Sequence, residues 1–123
     1  MNLNAVADEV LTYLETKHAR VYRNKAIQNP IFPYVVFRID SVTDSYPSED
    51  LYANIDIYED VNKSVRAMED LADLIDNGIN HTVINIDTLN LQFDREQRQY
   101  VPAEELVSTH LVNLRYVVRA YFK

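Results

Sequence analysis

The chain has 123 residues, of which 47% are hydrophobic and 25% charged, a length and composition that suit one α+β domain over residues 1–123 and leave no room for a second. A formal net charge of −7 opposes binding to a phosphate backbone, where clustered Lys and Arg supply most of the affinity, so no sequence-specific nucleic-acid contact is expected. With no cysteine, disulfides, thiolate zinc sites and a cysteine nucleophile are all excluded.

The first residues, Met1 to Glu9, carry acids where a secretion signal would be basic, and no run of about eighteen apolar residues could span a bilayer. Neither a signal nor a membrane partner is expected. Leu3, Val6, Ala7, Val10, Leu11 and Leu14 recur at helical spacing and predict a first helix over Leu3 to His18. Arg20-Val21-Tyr22-Arg23 reads as a short extended segment. Pro33 then opens Tyr34-Val35-Val36-Phe37-Arg38-Ile39, whose β-branched and aromatic residues suit a pleated surface. After a polar stretch, Asp40 to Asp50, taken as a loop, Leu51, Ala53, Ile55 and Ile57 alternate with polar residues as a half-buried strand, antiparallel to the first.

Asn62 is a good N-cap for a second helix over about Lys63 to Asn77, with an apolar stripe of Val65, Met68, Leu71, Ala72, Ile75 and Ile79 and the only glycine, Gly78, at its end. Glu69, Asp70, Asp73 and Asp76 are expected opposite that stripe, in water. From Val83 to Phe93 the apolar residues switch from even positions (Ile84, Ile86) to odd ones (Leu89, Leu91, Phe93), which predicts a bend or bulge near Asp87. Asp94 to Val107 reads as a polar loop, with Pro102-Ala103-Glu104-Glu105 as a one-turn helix start. Val112, Leu114, Tyr116, Val118, Ala120 and Phe122 make the clearest strand, buried on one face. The fold class is therefore α+β, a mixed, mostly antiparallel sheet packed against two main helices.

No motif carries chemistry. One glycine cannot form a phosphate cradle, and His18, His81 and His110 show no metal-ligand spacing. The pairs Glu49-Asp50, Glu59-Asp60, Glu69-Asp70 and Glu104-Glu105 read as solvated acids rather than acid–base pairs, and no serine has a histidine or a nucleophile elbow nearby. No cofactor or metal is expected. Among nine tyrosines, Tyr34, Tyr52, Tyr58, Tyr116 and Tyr121 fall on strands and read mainly as packing, whereas Tyr46 and Tyr100, in the polar stretches, are candidates for partner contact.

The order of elements, with Phe32-Pro33-Tyr34-Val35-Val36-Phe37 after the first helix, Leu51 to Tyr58 before the second and Leu114-Arg115-Tyr116-Val117-Val118 near the end, resembles the small tail-terminator or tail-completion proteins of long-tailed bacteriophages. The resemblance covers nearly the whole chain. It implies a structural protein without catalysis that forms a homo-oligomeric, hexameric ring on the head-proximal end of the tail tube, stops tube growth and meets a connector protein of the head's neck. It also implies a place in the virion after assembly in the bacterial host cytoplasm, with the tail tube protein as a partner. A ring needs two different patches of one protomer to meet. Tyr46, Asp50, Arg95, Arg98 and Tyr100, in the two polar stretches, are the expected assembly interface. The alternatives are a neck or head-completion adaptor, a cytoplasmic α+β binding domain and, last, an enzyme.

Overall fold

A computed structural model describes residues 3–45, 48–102 and 109–122, with the backbone alone for 41–45 and 48. Helix α1 (Leu3–Glu15) buries Val6, Ala7, Val10 and Leu14, the face its spacing predicts. It ends three residues short of the expected His18. The amides of Thr16 and Lys17 bond back to the carbonyls of Tyr13 and Leu14 in a tighter turn that closes the helix.

Strand β1 (Val21–Arg23) runs parallel to β2 (Tyr34–Ser45), which forms an antiparallel hairpin with β3 (Ser48–Asp60). The region read as a loop from Asp40 to Asp50 is thus mostly strand. Its polar residues pair because ladder bonds use backbone groups, and Glu49 and Asp50 are held from the other side by Ala120 and Arg119. Helix α2 (Arg66–Ile79) follows. It starts later than predicted, since Asn62 donates its amide to Asp60 while Ser64 Oγ accepts the Arg66 N–H at 3.1 Å. Gly78 lies inside its last turn, not beyond it, and Asn80 is the C-cap. A β-carbon on Gly78 would run into the Tyr13 hydroxyl, which donates to the Ile75 carbonyl at 2.7 Å, so this glycine serves the approach of the two helices.

Strands β4 (Val83–Ile86) and β5 (Leu89–Val101) form a hairpin around Asp87 and Thr88, so the switch of apolar phase marks a reversal of the chain instead of a bend in one strand. Strand β6 (Thr109–Phe122) pairs with both β3 and β5. The sheet order is β1-β2-β3-β6-β5-β4, five antiparallel or parallel junctions of which only β1·β2 is parallel. Both helices lie on one face. There Val35, Phe37, Leu51, Ala53, Ile55, Ile57, Leu89, Leu91, Phe93 and the even residues Val112 to Ala120 meet the buried stripes of α1 and α2 in one core. The predicted α+β architecture is the observed one. The expected helix start at Pro102-Ala103-Glu104-Glu105 lies outside the described residues from Ala103 onward.

Candidate assembly surfaces

Of the five residues expected at an interface, four lie on two strands, β3 and β5. Tyr46 lies outside the described residues. Asp50 sits near the start of β3, with Arg119 Nε 3.6 Å from its Oδ1. Arg95, Arg98 and Tyr100 lie on β5, because strand pairing continues through the stretch read as a loop as far as Val101. A bulge decides where their side chains point. Between Arg95 and Gln97 the register slips past Glu96, so Arg95 opposite Tyr116 and Arg98 opposite Leu114 both fall on the helix side, although they are three residues apart.

Both arginines therefore reach α2. Arg95 bonds Asp76 Oδ2 at 2.7 Å, and Arg98 forks to Asp73 and Glu69 at 2.6 Å each. Asp76, expected in water, is only 8% exposed, and its second oxygen accepts the Tyr116 hydroxyl at 2.6 Å. The spacing held the clue: Asp76 stands four residues after Ala72 and three before Ile79, on the apolar stripe itself. Burial and the Asp76 carboxylate raise the Tyr116 phenol above its ordinary pKa, and burial, helped by Asp76, pushes Tyr13 up to about 12. Hydrogen bonding to Asp73 first among causes raises Arg98. These groups clamp α2 to the sheet. Tyr100 is different, being 43% exposed, with its hydroxyl 3.1 Å from His110 Nδ1 and its ring tilted against the same imidazole.

Among the described residues, the other face of the sheet carries no helix. Its side chains hold one another: Arg38 pairs with Asp40, Asp40 accepts from Asn54, Asn54 accepts from Arg115, and Arg115 lies 4.8 Å from the Tyr52 ring centroid and 3.7 Å from Glu96. Asn54 is 3% exposed although no helix covers it. Alongside, Asn113 donates to Asp56 at 2.6 Å, while burial raises the Asp56 pKa against that hydrogen bond and the nearby Arg38. Tyr34 stacks on Tyr58 with centroids 5.0 Å apart, and Tyr22 and Phe32 flank Tyr34. This face is a polar and aromatic surface whose side chains contact one another.

The histidines are dispersed. His18 Nε2 lies 2.7 Å from the Pro33 carbonyl, His81 contacts Asp94 at 2.8 Å, and His110 faces Tyr100. Among the described residues no three His, Asp or Glu side chains converge as a metal-binding group, and no helix is long and apolar enough to cross a membrane. A shallow groove of about 380 Å³ runs beside the start of α2, lined by Glu59, Lys63, Ser64, Arg66, Ala67 and Asp70. Buried Glu59 turns one oxygen to the Asp60 amide at 2.8 Å, which leaves the groove a rim of solvated charges.

The geometry defines a class, an α+β protein with one helical layer on a six-stranded sheet whose second face no helix among the described residues covers. No protein-family model and no curated protein matches the chain. One similar solved structure, whose designation states no activity, superposes with a TM-score of 0.70 at 12% identity, covering 100% of this chain and 98% of that one. At that identity the likeness speaks for the fold alone.

Proposed function

We propose that the chain is a structural protein of the tail-terminator kind, which assembles as a ring at the head-proximal end of a phage tail tube, ends tube growth and offers a surface to the neck. The observation that carries this reading is the one-sided layering of the sheet. Both helices pack on one face, and the opposite face presents side chains tied to each other across four strands, from Arg38 on β2 to Glu96 on β5. A bare sheet whose central polar groups, from Arg38 to Glu96, are bonded to one another is a wall and not a pocket, since a ligand would have to compete with bonds already made. In a ring, such a wall lines a lumen or meets a flat partner. The sequence resemblance agrees with a structural role.

Native mass spectrometry over a concentration series tests the reading, because it counts subunits without knowledge of a partner. A six-subunit species that grows in with concentration is the expected result. A strict monomer up to the highest concentration, with no annular particles in negatively stained images, would overturn it.

A further inference from the structure

The two lateral borders of the sheet are only half covered. Strand β1 pairs with β2 over Val35 to Phe37 and leaves the outer edge of β2, among the described residues, without a strand neighbour from Arg38 onward. Strand β4 pairs with β5 over Leu89 to Gln92, and the outer edge of β5 has no strand neighbour, among the described residues, from Gln97 to Val101. Unpaired edges are templates for strand addition. The bulges at Ser41/Thr43 and Arg95/Gln97 limit the straight free segments to Arg38–Ser41 and Gln97–Val101.

The two edges match in ways that an arbitrary pair would not. On β2, Val35 donates outward to Arg20 and Phe37 accepts from Asn24, so by alternation Ile39 and Ser41 aim their backbone groups outward. On β5, Phe93 exchanges bonds with Thr82 and His81, and after the bulge at Glu96 the outward residues are Arg98 and Tyr100. Ile39, Arg98 and Tyr100 all carry side chains on the helix side of the sheet. A backbone-paired junction between them therefore continues the sheet with every helix on the same face, whereas the opposite parity would flip one protomer over. The strands also run the right way, because β2 and β5 are antiparallel within the chain, as are neighbours joined side by side.

We propose that the β2 edge of one protomer, Arg38–Ser41, pairs antiparallel with the β5 edge of the next copy, Arg98–Val101, so that the ring is built on a sheet continuous across subunits. The proposal rests on the ring reading above. In this register Ile39 faces Tyr100, covering an exposed aromatic, and Asp40 faces Gln99, an amide donor, with no like charges opposed. Within a chain, Ile39 lies level with Arg95 and Tyr100 lies level with Val35. Each junction thus advances the sheet by four residues, the difference between positions 39 and 35, or roughly 13 Å at strand rise. A stagger of one sign closes only when the strands tilt against the ring axis, as in a barrel. The contact joins two different edges, as a cyclic ring requires and a two-fold dimer does not.

The chain has no cysteine, so an engineered pair reports cleanly. In the double variant Ile39→Cys with Tyr100→Cys the two thiols of one chain are three strand spacings apart across the sheet and four residues apart along it, roughly 19 Å, beyond disulfide reach, and only a neighbouring copy can bridge them. Mild oxidation at a concentration where native mass spectrometry detects the oligomer is expected to give a ladder of covalent species up to the full ring, with each single variant staying monomeric. Tyr100→Lys, a charge on an exposed edge, is expected to weaken association about tenfold while leaving the thermal midpoint unchanged. An oligomer that forms without cross-linking would reject this junction and leave the ring reading standing. Covalent dimers from Ile39→Cys alone would reject the head-to-tail pairing, and a strict monomer at every concentration would reject both proposals.

Discussion

The two faces of the sheet satisfy their polar groups by different means. On the helix side, Asp76 of α2 is held by Arg95 from β5 and Tyr116 from β6, so each bond joins two layers. On the bare side, Asp40, Asn54, Arg115 and Glu96 bond only to members of the same sheet. The first arrangement sets where a helix docks. The second stiffens a surface without covering it, and it reinforces the alignment of β2, β3, β6 and β5 because each side chain reaches its neighbour only in one register. Loss of a group should therefore cost more on the helix side, where removal strands a buried partner.

The largest expected effect is that of Asp76→Ala, which leaves the buried Tyr116 hydroxyl without its acceptor and the partly exposed Arg95 without its counter-ion. Stranding that hydroxyl and losing the charged partner together cost about 3 kcal/mol, read as a lower midpoint in a urea titration at unchanged slope. A change below about 1 kcal/mol would mean that α2 is not anchored through this carboxylate.

Tyr116→Phe should cost about 2 kcal/mol, since it removes a single hydrogen bond to a charged acceptor and keeps the ring. It also separates the faces by pH. The Tyr116 phenol is raised above its ordinary 10.0 in the fold by burial and by Asp76, and Tyr13 is raised to about 12. A group raised on folding favours the native state fully below its unfolded value and loses that contribution as pH climbs toward the folded one. Stability should thus fall in alkali from pH about 10 upward, and the fall should be shallower in Tyr116→Phe. Equal alkaline slopes in the two proteins would place the titrating group elsewhere.

The smallest effect is expected on the bare face. Asp56→Asn keeps an oxygen for Asn113 and removes a carboxylate whose pKa burial has raised. Because the ionised form is the one the fold disfavours, the variant should be as stable as the parent or slightly more so at neutral pH, with the difference vanishing once acid protonates Asp56 in the parent. Paired thermal melts at pH 7 and at pH about 3 measure it. A loss at neutral pH would show that the ionised carboxylate, through Arg38, contributes more than its burial costs.

Much of the fold could be read residue by residue, and the errors share a cause. Alternation from Val112 to Phe122 and the stripe from Met68 to Ile79 are local records of one apolar layer touching one element, and both elements formed where that spacing put them. The polar run from Asp94 to Tyr100 carries no such record. It is a strand because β6 offers a ladder to its backbone, and the bulge at Glu96, which no local pattern announces, turns Arg95 and Arg98 toward α2. Of the residues expected at an interface, Asp50, Arg95 and Arg98 pair within the chain, and Tyr100 stays 43% exposed on a sheet border.

What the amino-acid order alone determined is what side-chain period can encode: two amphipathic helices, the buried faces of the hairpin and the last strand, and one α+β core. Strand order, the half-covered edges and the burial of Asp76 were decided only in the tertiary structure. Backbone pairing is indifferent to side-chain polarity, and a carboxylate can be buried when another element brings its partners.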